Sequence, residues 1–484
     1  MTTEESPLLD ESLVVGASPG RVFTSAQKKY IVFVVSIAGL LPMVVSGTFV
    51  PTIPQVSKDL QSTDAAVSLA VSLSVFATAI GPLFWASYSS IYGRRLIYLF
   101  GTPTFCIGSL GVATSLSLLP FLFWRFIQTL GCSGGLAIGA GVIGDIFELE
   151  ERGTAIGIFF GESIFIHMYV RAVEDVPIDD LNTALHSGTA AKYSSWRHIH
   201  VALATWGVLQ YLLICFSLPE TSHSHQKDPS QSPPHERPRW VWINPLRCLV
   251  SLRSPNLFAL NFHSSFALLT DFVLLVPIAH TIGARYHITN EALIGACILP
   301  NGAGNFIGAL LAGRMSDTTV RQWRQKRQGV WVPEDRLRKT WIGGLVLCPL
   351  AIAASGLLTT FVDGPIGLGL NLLCLFSNGA GVDFVLNPVI SYSVDLSQSQ
   401  SAELMAAGNA LRSFVVALGS AVVMPSIQHI GVAWTNGIAS LLVWFSYGLV
   451  VLTIRYGDRM RAAYDLGYTT LPDRDEYEGV TTTN

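Results

Sequence analysis

Apolar runs of about 20 residues, broken by short polar turns, follow one another from Tyr30 to Ile454. A helix needs roughly 20 mostly apolar residues to cross the hydrocarbon of a bilayer, so each run predicts a membrane-spanning helix. The runs are Tyr30–Val50, Ala65–Trp85, Leu96–Leu116, Phe121–Phe147, Val201–Leu218, Leu257–Ile282, Ala292–Ala312, Trp341–Phe361, Ile366–Ser393, Met405–Ile427 and Val432–Ile454. Two of the polar turns resemble each other. Ala86-Ser87-Tyr88-Ser89-Ser90-Ile91-Tyr92-Gly93-Arg94-Arg95 follows the second run, and Gly313-Arg314-Met315-Ser316-Asp317 follows a run in the second half. Matching turns at matching places predict a chain built from two related membrane halves.

Basic residues outside the runs fall mainly in alternate loops. Lys28 and Lys29 precede the first run, Arg94 and Arg95 follow the second, and Arg152 follows the fourth. The middle loop carries Lys227, Arg237, Arg239, Arg247 and Arg253; a later loop carries Arg321, Arg324, Lys326, Arg327, Arg336, Arg338 and Lys339. The tail adds Arg455, Arg459 and Arg461, whereas the intervening loops hold little beyond Lys58 and Arg285. The positive-inside bias therefore puts both termini and the middle loop in the cytoplasm. An even number of helices must then separate the first terminus from that loop, but only five clean runs do. The sixth is Thr154–Val173, an unfavourable span because it holds Glu162, His167 and Arg171. Each charge at a helix centre costs about 2.5–3.5 kcal/mol on the insertion scale.

The expected fold is all-α and integral to the membrane, with twelve transmembrane helices in two pseudo-symmetric six-helix bundles. Residues 1–29 form a cytoplasmic tail, 30–219 the first bundle with its atypical fifth span at 154–173, 220–255 a cytoplasmic linker, 256–456 the second bundle and 457–484 a second tail. Composition agrees: half of the 484 residues are hydrophobic and 13% charged, with a mean hydropathy of +0.45. A soluble chain carries about 25% charged residues. The net charge of −3 says little about partners, and no basic tract suits nucleic acid. Six of the seven cysteines lie inside apolar runs and read as packing residues. No cofactor or metal-ligand spacing is present, since His223, His225 and His235 fall in a Ser/Pro/His-rich linker without fixed geometry. The first span is too long for a cleavable signal peptide.

The Gly93-Arg94-Arg95 turn, the twelve spans and the polar middle loop resemble the major facilitator superfamily. Arg125-Phe-Ile-Gln128 with Gly131, Gly134 and Gly135 resembles the fourth-span motif of its drug:proton antiporter branch. Glu151-Arg152-Gly153-Thr154 and Leu218-Pro219-Glu220-Thr221 look like the same branch. Leu269-Thr-Asp271, Asn290-Glu-Ala-Leu-Ile-Gly295, Val330-Trp-Val-Pro-Glu-Asp335 and Gly381-Val-Asp383 are similar to a fungal subgroup of quinidine-resistance-type and itaconate exporters. Two departures stand out. The family's turn carries an acid where this chain has Ser90 and often an arginine at Ile91, while the second half keeps Asp317. Span five lacks the branch's glycine-proline-glycine-glycine pattern. The interval Glu162–Ser187 reads as foreign, which points to a gene-model or splicing error that transcript sequencing would test.

Charges inside spans are costly and usually functional. Arg125 in span four can grip a carboxylate through two parallel hydrogen bonds, or hold helices together. Gln128 lies one turn on. Asp271 in span seven and Asp383 in span ten can each take up a proton, because desolvation favours the neutral carboxyl, or can bond a neighbouring helix. Arg412 early in span eleven can neutralise Asp383 or snorkel to the surface. Asn301, Asn305 and Asn387 can line a path or bond helices. Gly131, Gly135 and Gly139, and Gly304 and Gly308, form small-residue stripes for close packing. Gly93, Arg94, Arg95 and Asp317 make the expected gating loop, with Asp145 and Glu148 as acids within reach of the arginines.

The resemblance implies a monomeric exporter working by alternating access, exchanging an incoming proton for a small organic molecule. An organic acid such as itaconate suits Arg125; a drug-like cation suits Asp271 and Asp383, as in a multidrug:proton antiporter. A non-transporting sensor or an inactive relic on the same scaffold are the other readings. No nucleophile elbow or phosphate loop suggests an enzyme. The expected location is the plasma membrane, or a vacuolar or endosomal membrane if Glu4-Glu5-Ser6-Pro7-Leu8-Leu9 is a sorting signal.

Overall fold

The computed structural model describes residues 23–47, 49, 52–161, 196–222, 244–288, 291–397 and 400–462. The span-five sequence beyond Gly161, the interval Glu162–Ser187, the Ser/Pro/His-rich part of the linker, the Glu4–Leu9 pattern and the tail after Ala462 lie outside the described residues.

Two helices of the first half start at side-chain caps, and several helices extend beyond their apolar stretches. The first, α1 (Ser25–Gly47), begins five residues before its apolar run. There Thr24 and Gln27 cap each other, Thr24 N donating to Gln27 Oε1 at 2.9 Å and Gln27 N to Thr24 Oγ1 at 3.3 Å. A short helix, Ile53–Asp59, leads to α2 (Asp64–Tyr92), whose Thr63 cap accepts from Ala66 N. Gly93 adopts φ +93° and turns the chain at once into α3 (Arg94–Thr114). Next come α4 (Leu118–Ile146), interrupted at Gly134, α5 (152–161) and α6 (Trp196–Ser217). The second half holds α7 (Pro255–Gly283), α8 (Leu293–Lys326), α9 (Pro333–Phe361), α10 (Gly364–Leu396), α11 (Ser401–Ile430) and α12 (Val432–Ala462). α8 continues 14 residues beyond its apolar run and α9 begins eight before its own. Hydropathy marks where hydrocarbon ends, whereas a helix continues for as long as its backbone bonds and packing allow.

The two halves repeat one packing plan. In the first, α3 lies against α4 and α6, α2 against α4, and α1 against α4 and α6; in the second, α9 lies against α10 and α12, α8 against α10, and α7 against α10 and α12. Advancing each helix number by six converts one set into the other. Large apolar side chains point outward all along the bundle, among them Leu116, Phe216, Phe361 and Phe445, each more than 70% exposed. In water such a surface would aggregate; in a bilayer it meets its solvent. The linker ends in a 3₁₀ helix, Pro245–Arg253, packed on α2 and α11.

Small residues set the tightest approaches, though not always along one seam. A Cβ at Gly131 would lie 2.4 Å from Phe105 N in α3, one at Gly135 2.7 Å from Ala38 O in α1, and one at Gly139 2.5 Å from the Phe159 ring in α5. The stripe expected from sequence thus serves three neighbours, α3 before the break at Gly134 and α1 and α5 after it. Gly304 and Gly308 do share one seam, against Phe376 and Ala380 of α10. A further series, Gly153, Gly157 and Gly161, lies on α5 and faces α8. There the nearest atoms to an added Cβ include Gly313 O at 3.0 Å, Ala309 O at 2.4 Å and Ala309 Cβ at 3.3 Å respectively.

Candidate functional site

Two buried polar clusters lie inside the halves, and a third lies across the arginine-rich end. In the first half, Arg125 is 1% exposed. Its Nη1 donates to Gln128 Oε1 at 2.7 Å and its Nη2 to Val45 O of α1 at 2.8 Å. The guanidinium also lies over the Phe49 ring at 4.4 Å. Gln128 passes the connection on: its Nε2 donates to Ser109 Oγ in α3 at 2.8 Å and lies 3.2 Å from His200 Nδ1 in α6. Both amino groups of Arg125 are therefore bonded to the protein in this conformation, while its buried Nε has no partner among the described residues.

In the second half, Asp271 Oδ1 accepts from Asn301 Nδ2 at 2.8 Å and from Asn378 Nδ2 at 2.7 Å. Asn305 continues the series. Its carboxamide lies 3.2 Å from Asn301 Oδ1, and with the amide turned so that nitrogen faces the acid it donates to Asp383 Oδ2 at 3.1 Å and Gly379 O at 2.7 Å. A ladder of amides thus links the two buried aspartates across α7, α8 and α10. Close packing at Gly304 and Gly379 permits it, since a Cβ at Gly379 would lie 2.3 Å from Asn301 O. Asn387 stands apart and donates to Ala309 O of α8 at 3.2 Å, beside Gly157. Arg412 does not pair with Asp383 and does not snorkel. It is 6% exposed, and its Nη1 donates to Asn261 Oδ1 of α7 at 2.9 Å.

The third cluster joins the halves. Arg94 donates from Nε to Asp145 Oδ2 at 3.1 Å, from Nη1 to Ser89 Oγ at 2.8 Å and from Nη2 to Ser401 Oγ of α11 at 3.1 Å. Glu220 accepts the backbone N–H groups of Arg94 and Arg95 at 2.8 and 3.1 Å, and a Cβ at Gly93 would lie 2.5 Å from its Oε2. Only glycine fits there, on φ and on space. Arg95 reaches Cys215 O at 2.7 Å. Opposite, Asp317 accepts from Gly153 N at 2.9 Å, Thr154 N at 2.7 Å and Thr154 Oγ1 at 2.6 Å, which places a carboxylate on the N-terminus of α5. Arg336 Nη1 donates to Asp317 Oδ1 at 3.0 Å, and Arg152 and Arg336 both bond Asp395. Nearby, Cys248 is buried against Ser87 Oγ at 2.9 Å, and that burial pushes its thiol pKa up to about 11.

Sequence reasoning missed Asp395, Arg152, Asn378, Asn261 and His200 as partners. Asn378, Asn261 and His200 were detectable as polar side chains within apolar runs. The loop arginines carried no such signal, since they read as topology setters.

A sequence model of the Major Facilitator Superfamily matches residues 35–164. The chain is 24% identical to citrate exporter 1 of Aspergillus niger, over 92% of this chain and 89% of the relative. It is 24% identical to the efflux pump radE of Floropilus chiversii, over 89% of this chain and 80% of the relative. Among solved structures it resembles the proton:xylose symporter XylE, with a TM-score of 0.63 at 14% identity, covering 90% of this chain and 96% of that one. It also resembles the human organic anion transporter MFSD10, with a TM-score of 0.60 at 16% identity, over 87% and 99%. The chain is a multi-pass membrane protein whose fold resembles that of these major facilitator transporters of known structure.

Proposed function

We propose that the protein exports a small organic acid from the cytosol by alternating access, coupled to inward proton movement. One observation carries this reading. Six arginines are buried among the described residues. The four at the arginine-rich end (Arg94, Arg152, Arg336 and Arg461) each meet a carboxylate, while Arg125 and Arg412 meet none within 4.0 Å among the described residues. A buried cation without an anion is expensive and persists where a ligand supplies one. Arg412 is the stronger candidate for direct contact, since only Nη1 is held by Asn261. Arg125, gripped by α1 and Gln128, tunes the shape of α1 as substrate comes and goes. Among the described residues, Asp271 and Asp383 have amide partners only, which suits groups that must gain and lose a proton. The citrate exporter among the relatives supports an organic acid, itaconate being the specific candidate.

Efflux of cationic drugs is the second reading. The unneutralised Asp271–Asp383 pair suits a cation, and an efflux pump is also among the relatives. Uptake of radiolabelled citrate and itaconate into inside-out vesicles under an imposed pH gradient separates the two. Acid uptake that collapses with the gradient is expected, and Arg412→Ala should reduce it at least tenfold with normal membrane insertion. Drug uptake with no acid uptake would reject the organic-acid reading.

A further inference from the structure

The two halves close against each other through two locks, which internal symmetry makes comparable. Ala86 to Ser90 at the end of α2 corresponds to Gly313 to Asp317 at the end of α8, so Ser90 is the counterpart of Asp317. The helix that Asp317 caps, α5, has α11 as its counterpart. The rest of the arrangement repeats: Arg94 meets Asp145 at the end of α4, and Arg336 meets Asp395 at the end of α10. In the second-half lock the acid comes from across the boundary, with Asp317 on the bare N–H groups of Gly153 and Thr154. In the first-half lock Ser90 carries no charge to offer α11.

The charge sits instead on α11. Glu403 is the acid of that helix's first turn, with Gln400 at the cap position, which is where a carboxylate complements the helix's own terminus. Its side chain lies near Ser90, whose Oγ donates to Ala86 O at 3.3 Å, and Arg94 and Arg247 are the charged groups near it. Arg94 also reaches Ser401 in the same turn, and Gly141 leaves the room for it, since a Cβ there would lie 3.2 Å from Arg94 Cζ. The carboxylate, the helix terminus and the arginine are all present, with the carboxylate on the opposite helix.

We infer that the acid of the first lock has been transposed from α2 to α11, so that Glu403 near Ser90 does for α11 what Asp317 does for α5. Glu403 is a positioning residue: it acts through Ser90 and Arg94 on closure, not on substrate. The transposition makes the locks unequal. When the halves part, α11 keeps its carboxylate, whereas α5 loses the one that Asp317 supplies. The first lock therefore releases at lower cost. The inference rests on the alternating-access reading for its role in transport, but its test needs no substrate.

The test is hydrogen–deuterium exchange of the purified full-length protein without substrate, following peptides that cover 86–96 and 400–410. Peptides covering 152–158 and 313–320 report the other lock. Ser90→Asp sets two carboxylates face to face, so exchange at the first lock should rise on the order of tenfold, the scale of coupling between contacting residues, with the second lock unchanged. In a Glu403→Ser background the same Ser90→Asp substitution should lower exchange, because the carboxylate it introduces on α2 then supplies the missing charge. Glu403→Gln should loosen the same peptides, and neutral Ser90→Asn should not. An effect of Ser90→Asp that is the same with and without Glu403, or Glu403→Gln leaving exchange unchanged, would overturn the transposition. Failure of organic-acid uptake alongside this pattern would reject the substrate and leave the lock standing.

Discussion

Gly93 shows how one residue can be fixed from two directions. Its backbone lies at φ +93°, and its missing Cβ makes room for the Glu220 carboxylate that caps α3. Alanine there would pay for the left-handed conformation and for displacing Glu220, roughly 1–3 kcal/mol together. Gly93→Ala should lower the melting temperature in detergent clearly, whereas alanine at Gly369, where nothing lies within 4 Å of the added Cβ, should not lower it. Equal effects at the two sites would contradict this account. Gly93 and Arg94 were legible in the sequence because a short polar turn between long apolar runs has few purposes. Glu220 was visible only as part of a motif, and its bond to the turn spans about 126 residues of chain.

The helices themselves were the most legible level. A bilayer imposes a length and a composition, and both are written in apolar runs such as Trp341–Phe361. Their contacts were less so. Gly131, Gly135 and Gly139 read as one stripe, yet they meet three different neighbours, on either side of a break at Gly134. The series that does join the halves, Gly153, Gly157 and Gly161, went unread because it opens the run with the most charges. Here a side chain has nowhere to go, since the atom 2.4 Å from a Cβ at Gly157 is the Ala309 carbonyl oxygen. Gly157→Val should therefore hold α5 away from α8. Labelling of single cysteines placed on α5 and α8 at the arginine-rich end should rise on the order of tenfold. Labelling equal to that of the parent would show that the approach of α5 to α8 is not required for closure.

Across the whole molecule, charge is sorted by depth. Among the described residues, the arginine-rich end holds paired ions in quantity, and the interior holds two arginines and two aspartates with no ion pair between them. Pairing could not be read from sequence: Arg152 and Asp395 are 243 residues apart, and only the folded halves bring them together. Asp395 sits between Arg152 and Arg336, so Asp395→Asn leaves buried Arg152 without its anion and Arg336 with Asp317 alone. That change should cost about 3–5 kcal/mol, seen as a large fall in melting temperature. Asp59→Asn, which breaks the partly exposed pair with Arg197, should cost less than about 1 kcal/mol. Similar losses for the two would mean that Asp395 is not shielded as the bundle places it.

The α5–α8 seam is fastened in two unlike ways along its length. At one end Asp317 and its arginine hold it by charge; farther along, Gly157 and Ala309 hold it by bare backbone. Competing ions can weaken the first kind of fastening but have nothing to act on in the second. This boundary would therefore peel open from its charged rim, with the glycine stretch serving as the axle.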